Sequence, residues 1–188
     1  MAIDRFEVLS QLTKREFPRF SIRDRSSTWL RLFMGNSTAT TIGSTVYTDP
    51  SIWADLTSDQ RYKVLRHEKV HIRQFNRWPF GRWAWPLNHV LVALCYLFVL
   101  PMVWTLRARF EREAYVQSLM VDFELDGRIS DARMEENAEW LATILSDDTF
   151  VYAWRKKAAY AWAMETQRKI NAGEIANPTD RVEEPRAA

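Results

Sequence analysis

The stretch "TSDQRYKVLRHEKVHIRQFNRWP", residues 57–79, carries helix punctuation at both ends. Thr57 suits an N-cap, Gln60 stands three residues on where a capping-box partner belongs, and Asp59 falls in the first turn. Tyr62, Val64, Leu65, Val70, Ile72 and Phe75 supply apolar faces, and Pro79, which has no backbone N–H, forbids continuation. The stretch therefore predicts one helix of about five turns. Within it lie two of the chain's three histidines, His67 and His71, with Glu68 beside the first.

On the N-terminal side, Ile3, Phe6, Leu9 and Leu12 repeat at helical spacing over residues 3–16. "SSTWLRLFM" (26–34) and "TTIGSTVYTD" (40–49) are rich in β-branched and aromatic residues and predict two strands, with Gly35-Asn36 between them. "DPSIWADLTSDQ" (49–60) reads as an irregular connection up to the Thr57 cap. On the C-terminal side, "RARFEREAYVQSLMVDFEL" (107–125) is helical up to a break at Asp126-Gly127, and further helical stretches are expected near 130–145 and 150–170. The pattern predicts a predominantly helical α+β fold in one domain over residues 1–172. Residues 173–188, polar and with two prolines, are expected to form a disordered tail. No internal repeat is present.

Composition narrows the function classes. The chain has 188 residues, 47% of them hydrophobic and only five of them glycine, which fits one globular, helix-rich domain with a real core. A net charge of +2 gives no reason to expect a nucleic-acid partner. The single cysteine, Cys95, cannot form an internal disulfide and suits a reducing compartment. The opening "MAIDRFEVLSQLTKREF" lacks the basic and apolar regions of a secretory signal, so a cytoplasmic setting is expected.

Residues i and i+4 share a helix face, so His67 and His71 can direct both imidazoles at one metal ion. Glu68 lies about 100° further round the helix, from 3.6 residues per turn. From there it can reach a water at the metal without being a ligand. Two histidines holding zinc while a glutamate takes the water's proton is the chemistry of metallopeptidases. Catalytic zinc ordinarily takes a third protein ligand. His89, Cys95 and the acids after residue 110 are candidates, and "RFEREAY" (109–115) stands out for Glu111 and Glu113 beside the small Ala114.

"RHEKVH" followed some forty residues later by "RFEREAY" resembles the gluzincin metallopeptidases, above all the CAAX-prenyl-protease type and its minimal soluble relatives. Those pair His-Glu-x-x-His with a later Glu-x-x-Ala-Asp. The resemblance implies a helical core with a small strand layer beside a zincin-like active-site helix. It makes His67, His71 and Glu111 the ligands of one zinc per chain and Glu68 the general base, with peptides or proteins as substrates. Ala114 matches the family's alanine, but Tyr115 replaces its aspartate. Orienting a ligating histidine then falls to the Tyr115 hydroxyl or to another residue. The register leaves Glu113 as a rival third ligand. Gln74, three residues after His71, lies near the same face and could bond a ligand or the substrate, and an exposed polar role is its plainer reading. Tyr115 is also a candidate to stabilise the oxyanion.

Residues 83–106 contain no charge, carry Trp83, Trp85 and Trp104 near their ends and are flanked by Arg82 and Arg107. That resembles a membrane span. A span would separate its ends by about 30 Å, whereas His71 and Glu111 would each have to come within about 2 Å of one zinc. Pro86, Asn88 and Pro101 also interrupt the apolar run. A core helix or hairpin is therefore expected, with peripheral membrane contact through 83–106 as the next reading. A membrane-associated helical protein with an incidental or structural His-Glu-x-x-His is the alternative from another class.

Three further features read as structural. "DFELDG" (122–127) imitates a calcium loop but has Arg133 where a bidentate glutamate is needed, which leaves a polar turn. Arg61, Lys63, Arg66, Lys69, Arg73 and Arg77 would ordinarily face water from an amphipathic helix. The aromatics from Phe150 to Trp162 suit core packing.

Overall fold

A computed structural model describes residues 4–26, 39–77, 102–146 and 155–175. Six helices and three short strands lie among them: α1 (Arg5–Glu16), β1 (Ser21–Asp24), β2 (Ala39–Ile42), β3 (Thr45–Thr48), α2 (Pro50–Asp55), α3 (Ser58–Arg77), α4 (Met102–Asp126), α5 (Asp131–Ser146) and α6 (Lys156–Asn171). The fold is α+β and predominantly helical. Its elements form two compact units, α1 to α3 and α4 to α6.

In the first unit, the ends of α3 follow the caps read from sequence. Gln60 N–H donates to Thr57 Oγ1 at 3.2 Å and Thr57 N–H donates to Gln60 Oε1 at 2.8 Å, a reciprocal capping box. The strands differ from expectation. Residues 40–49 hold two strands, not one, because Gly43 adopts a φ of 63° and reverses the chain between β2 and β3. The sheet order is β1-β3-β2, with β1 parallel and β2 antiparallel to β3. The strand expected over 26–34 lies outside the described residues from 27 onward. The connection at 49–60 is also more regular than expected. Asp49 caps α2 by accepting from Ser51 N–H, and Pro50 occupies its first turn, where a missing N–H does no harm.

Among the described residues, Leu9, Phe20, Val46, Tyr62, Leu65 and Ile72 form the buried apolar part of this unit. The basic residues of α3 do not simply face water. Arg66 is fully buried and donates to Tyr62 Oη at 2.8 Å. Arg61 donates to the carbonyls of Trp53 and Ala54 near the end of α2, both at 3.1 Å. Lys69 Nζ lies 2.9 Å from Glu16, and Arg73 grips the same carboxylate through Nε and an Nη, each at 2.9 Å. At the other end of α1, Ser58 Oγ donates to Asp4, and Arg5 pairs with Asp59 at 3.9 Å. The solvated stripe is therefore corrected. Other elements cover α3 on those sides, and Arg61, Lys69 and Arg73 bind what covers them.

Burial alone would push the Glu16 carboxyl up, but hydrogen bonds and charge from Arg73 and Lys69 outweigh it and hold the group below its ordinary range. A carboxyl depressed in the folded chain stabilises it fully above the unfolded pKa of about 4.3, and that contribution is lost as pH falls through the folded value. Urea unfolding should therefore show wild type ahead of Glu16→Gln at pH 7. The two midpoints should converge well below pH 4.

In the second unit, α6 packs against α5 and α4. Leu119, Ile129, Met134, Leu141 and Ile170 fill the interior, and Ala159 and Ala163 are fully buried. A polar chain crosses this core. Asn137 Nδ2 donates to Asp122 Oδ2 at 3.2 Å and to Gln167 Oε1 at 3.0 Å, and Gln167 Nε2 donates to the Met134 carbonyl at 3.0 Å. Asn171 clasps Ile129 by both backbone groups. Residues 122–126 are the last turn of α4, with Gly127 at a φ of 72° ending it, so "DFELDG" is helix and C-terminal stop rather than an open polar turn. Tyr160 and Trp162 pack on the core as expected, while Phe150 to Trp154 lie outside the described residues. Ile175, placed in the expected tail, also packs on this core; residues 176–188 lie outside the description.

Among the described residues no helix is long and apolar enough to cross a membrane. The uncharged stretch is described only where Met102 to Leu106 open α4. Its remaining residues, including His89 and Cys95, lie outside the described residues.

Candidate metal centre

The 20 residues of α3 set the geometry of the motif. His67 and His71 stand one turn apart on the same face, both partly buried, with ring centroids 5.0 Å apart and planes at 70°. Their Nε2 atoms are 3.3 Å apart. Two nitrogens bound to one tetrahedral zinc at about 2.0–2.1 Å would lie about 3.3–3.4 Å apart. The pair therefore has the spacing that a shared ion requires.

Gln74, one turn further on and buried, meets His71 from behind. Its Oε1 lies 2.9 Å from His71 Nδ1. A carbonyl oxygen only accepts, so Nδ1 is the protonated nitrogen, and in the neutral form that binds metal Nε2 is the atom left with a lone pair. An outer partner of this kind fixes tautomer and ring orientation in metal-binding histidines. The plainer reading of Gln74 as an exposed polar residue is thereby corrected: the i+3 spacing puts it on the imidazole.

Glu68 faces another way, as its step round the helix demands. It is only 6% exposed, and its Oε2 accepts a hydrogen bond of 2.7 Å from Thr41 Oγ1 on β2. Thr41 is itself buried and lies opposite Val46 in the β2–β3 ladder. The edge strand thus reaches the motif helix through a side chain that the sequence did not single out. The available signal was weak: a β-branched hydroxyl residue at an inward position, 27 residues before its partner.

Of the residues proposed on α4, Glu111 is partly buried and stands one turn before the fully buried Ala114. Glu113 is exposed and pairs with Arg109 at 3.5 Å. The Tyr115 ring packs among the buried side chains of its own unit and meets Trp140 edge-on, with centroids 5.7 Å apart.

No protein-family model matches the chain, and no curated protein or solved structure gives a significant match.

Proposed function

We propose that the chain is a zinc-dependent metallopeptidase of gluzincin type, in which His67, His71 and Glu111 hold one zinc ion and Glu68 is the general base. The observation that carries this reading is the 3.3 Å approach of the two Nε2 atoms on one face of α3. The donor set supports it as well. His67, His71 and Glu111 are each of a residue type that offers one ligand atom to a metal ion. Two imidazoles and one carboxylate are a ligand set of catalytic zinc.

When bound, zinc supplies an acidified water and a polarised substrate carbonyl. The chain's own residues supply the rest. Gln74 keeps the proton of His71 on Nδ1 and leaves Nε2 as the ligating atom. Glu68 presents a buried carboxylate whose Oε1 can take the water's proton and pass it to the leaving amine, while Thr41 occupies Oε2.

Elemental mass spectrometry on the purified full chain tests the reading. Wild type should carry about one zinc per chain, lost in His67→Ala and Glu111→Ala and kept in Glu113→Ala. Loss only in Glu113→Ala would move the third ligand by two residues. A wild type without metal after zinc is supplied would overturn the proposal. Gln74→Leu should still bind zinc, but about 10–100-fold more weakly in competition with a chromogenic chelator.

A further inference from the structure

Thr41 has no place in the sequence motif, yet of the side chains on β2 it is the buried one, and its hydroxyl lies 2.7 Å from Oε2 of the candidate base, with the Glu68 carbonyl a longer second acceptor at 3.5 Å. At 2.7 Å the contact is a well-formed O–H···O hydrogen bond. Three features make it more than ordinary core packing. Glu68 is 6% exposed, so little water competes for Oε2, and the Thr41 hydroxyl stands where solvent would otherwise be needed. The Glu68 side chain has three rotatable bonds, and a tether on one oxygen fixes where the other points. Thr41 is itself immobilised by the β2–β3 ladder, in which it pairs with the 1% exposed Val46, and a β-branched residue has few χ1 states to choose from.

We infer that Thr41 is a positioning residue for Glu68. It holds Oε2 and thereby turns Oε1, the oxygen that takes the proton, toward the histidine face of α3. The inference rests on the peptidase reading, because it assigns Thr41 a role in that reaction. No atom of Thr41 touches the substrate, and its proton stays on Oγ1. Its effect is to remove the search among carboxylate orientations before proton transfer.

The test compares Thr41→Val, which keeps the shape and removes the hydroxyl, with Thr41→Ser, which keeps the hydroxyl. Each full-length variant is assayed for zinc content, for hydrolysis of a quenched-fluorescent peptide library, and for urea unfolding in EDTA. Thr41→Val should retain one zinc per chain and a KM close to wild type, with kcat lower by about 10–100-fold, the scale of a misplaced catalytic group. Thr41→Ser should lie within about threefold of wild type, since its hydroxyl can still reach Oε2. Unfolding in EDTA reads the same contact without metal or activity. Thr41→Val should lower the urea midpoint in the wild-type background, and most of that fall should vanish in a Glu68→Ala background. Zinc-loaded Thr41→Val with wild-type kcat would overturn the inference, as would equal loss in Thr41→Val and Thr41→Ser or an undiminished fall in Glu68→Ala. A wild type without zinc would instead overturn the peptidase reading, and the inference with it.

Discussion

Glu68→Gln should keep its zinc and hydrolyse peptides about 10²- to 10⁴-fold more slowly than wild type, the range over which a general base contributes. The substitution is close to isosteric and keeps an oxygen that can accept from Thr41, so the tether seen at 2.7 Å has a counterpart in the variant. What disappears is a carboxylate able to receive a proton. Zinc should stay because Glu68 is not among the proposed ligands, which are His67, His71 and Glu111. Zinc content and kcat measured on the same preparation separate the two roles. A fall in both would make Glu68 part of the metal site. Unchanged hydrolysis would remove it from the chemistry. His67→Ala, by contrast, should lose both together.

Asn137→Ala should be a strongly damaging change in the second unit, lowering stability by about 2–4 kcal/mol. Asn137 spends both hydrogens of its amide nitrogen inside the helix core, one on Asp122 and one on Gln167. Gln167 is fully buried, and its Oε1 would lose the Asn137 donor in a place that water does not reach. An acceptor stranded in this way costs about 1–3 kcal/mol, and the volume left by the truncated side chain adds to it. At about 2–4 °C per kcal/mol for a chain of this size, thermal unfolding should move down by roughly 5–15 °C. Glu139→Ala, on the exposed side of the same helix, is the control and should shift stability by no more than about 0.5 kcal/mol. Equal behaviour of the two variants would show that the polar chain contributes nothing to the core.

The motif helix was legible in the sequence because its signals are local. Thr57 and Gln60 cap each other across three residues, and His67, His71 and Gln74 share a face through the helix period alone. What the sequence concealed depends on partners far along the chain. β1 carries only one apolar residue, Ile22, and becomes a strand by parallel pairing with β3, 24 residues later in register. Lys69 and Arg73 look like solvated charges until Glu16, more than fifty residues earlier, is placed between them. Thr41 looks like any strand threonine until α3 passes beside it. Two further elements carry local signals. Gly43 sits inside the expected strand as a turn signal, and Asp49-Pro50 is a cap followed by a first-turn proline, the opening of α2.

The bonds between α1 and α3 join start to start through Asp4 and Ser58, and the end of α1 to the later half of α3 through Glu16 with Lys69 and Arg73. The two rods therefore run in the same direction. From Asp4 to Glu16 is about 18 Å of helix, and from Ser58 to the midpoint of Lys69 and Arg73 about 20 Å. Rods riveted at two points of matched spacing cannot slide past one another, because an axial slip of one turn would break both rivets at once. His67 and His71 lie in the later half of the riveted span, and their height along the axis is measured from the same datum as α1. The first helix of the chain, which carries none of the proposed chemistry, is the ruler against which the metal-binding turn is set.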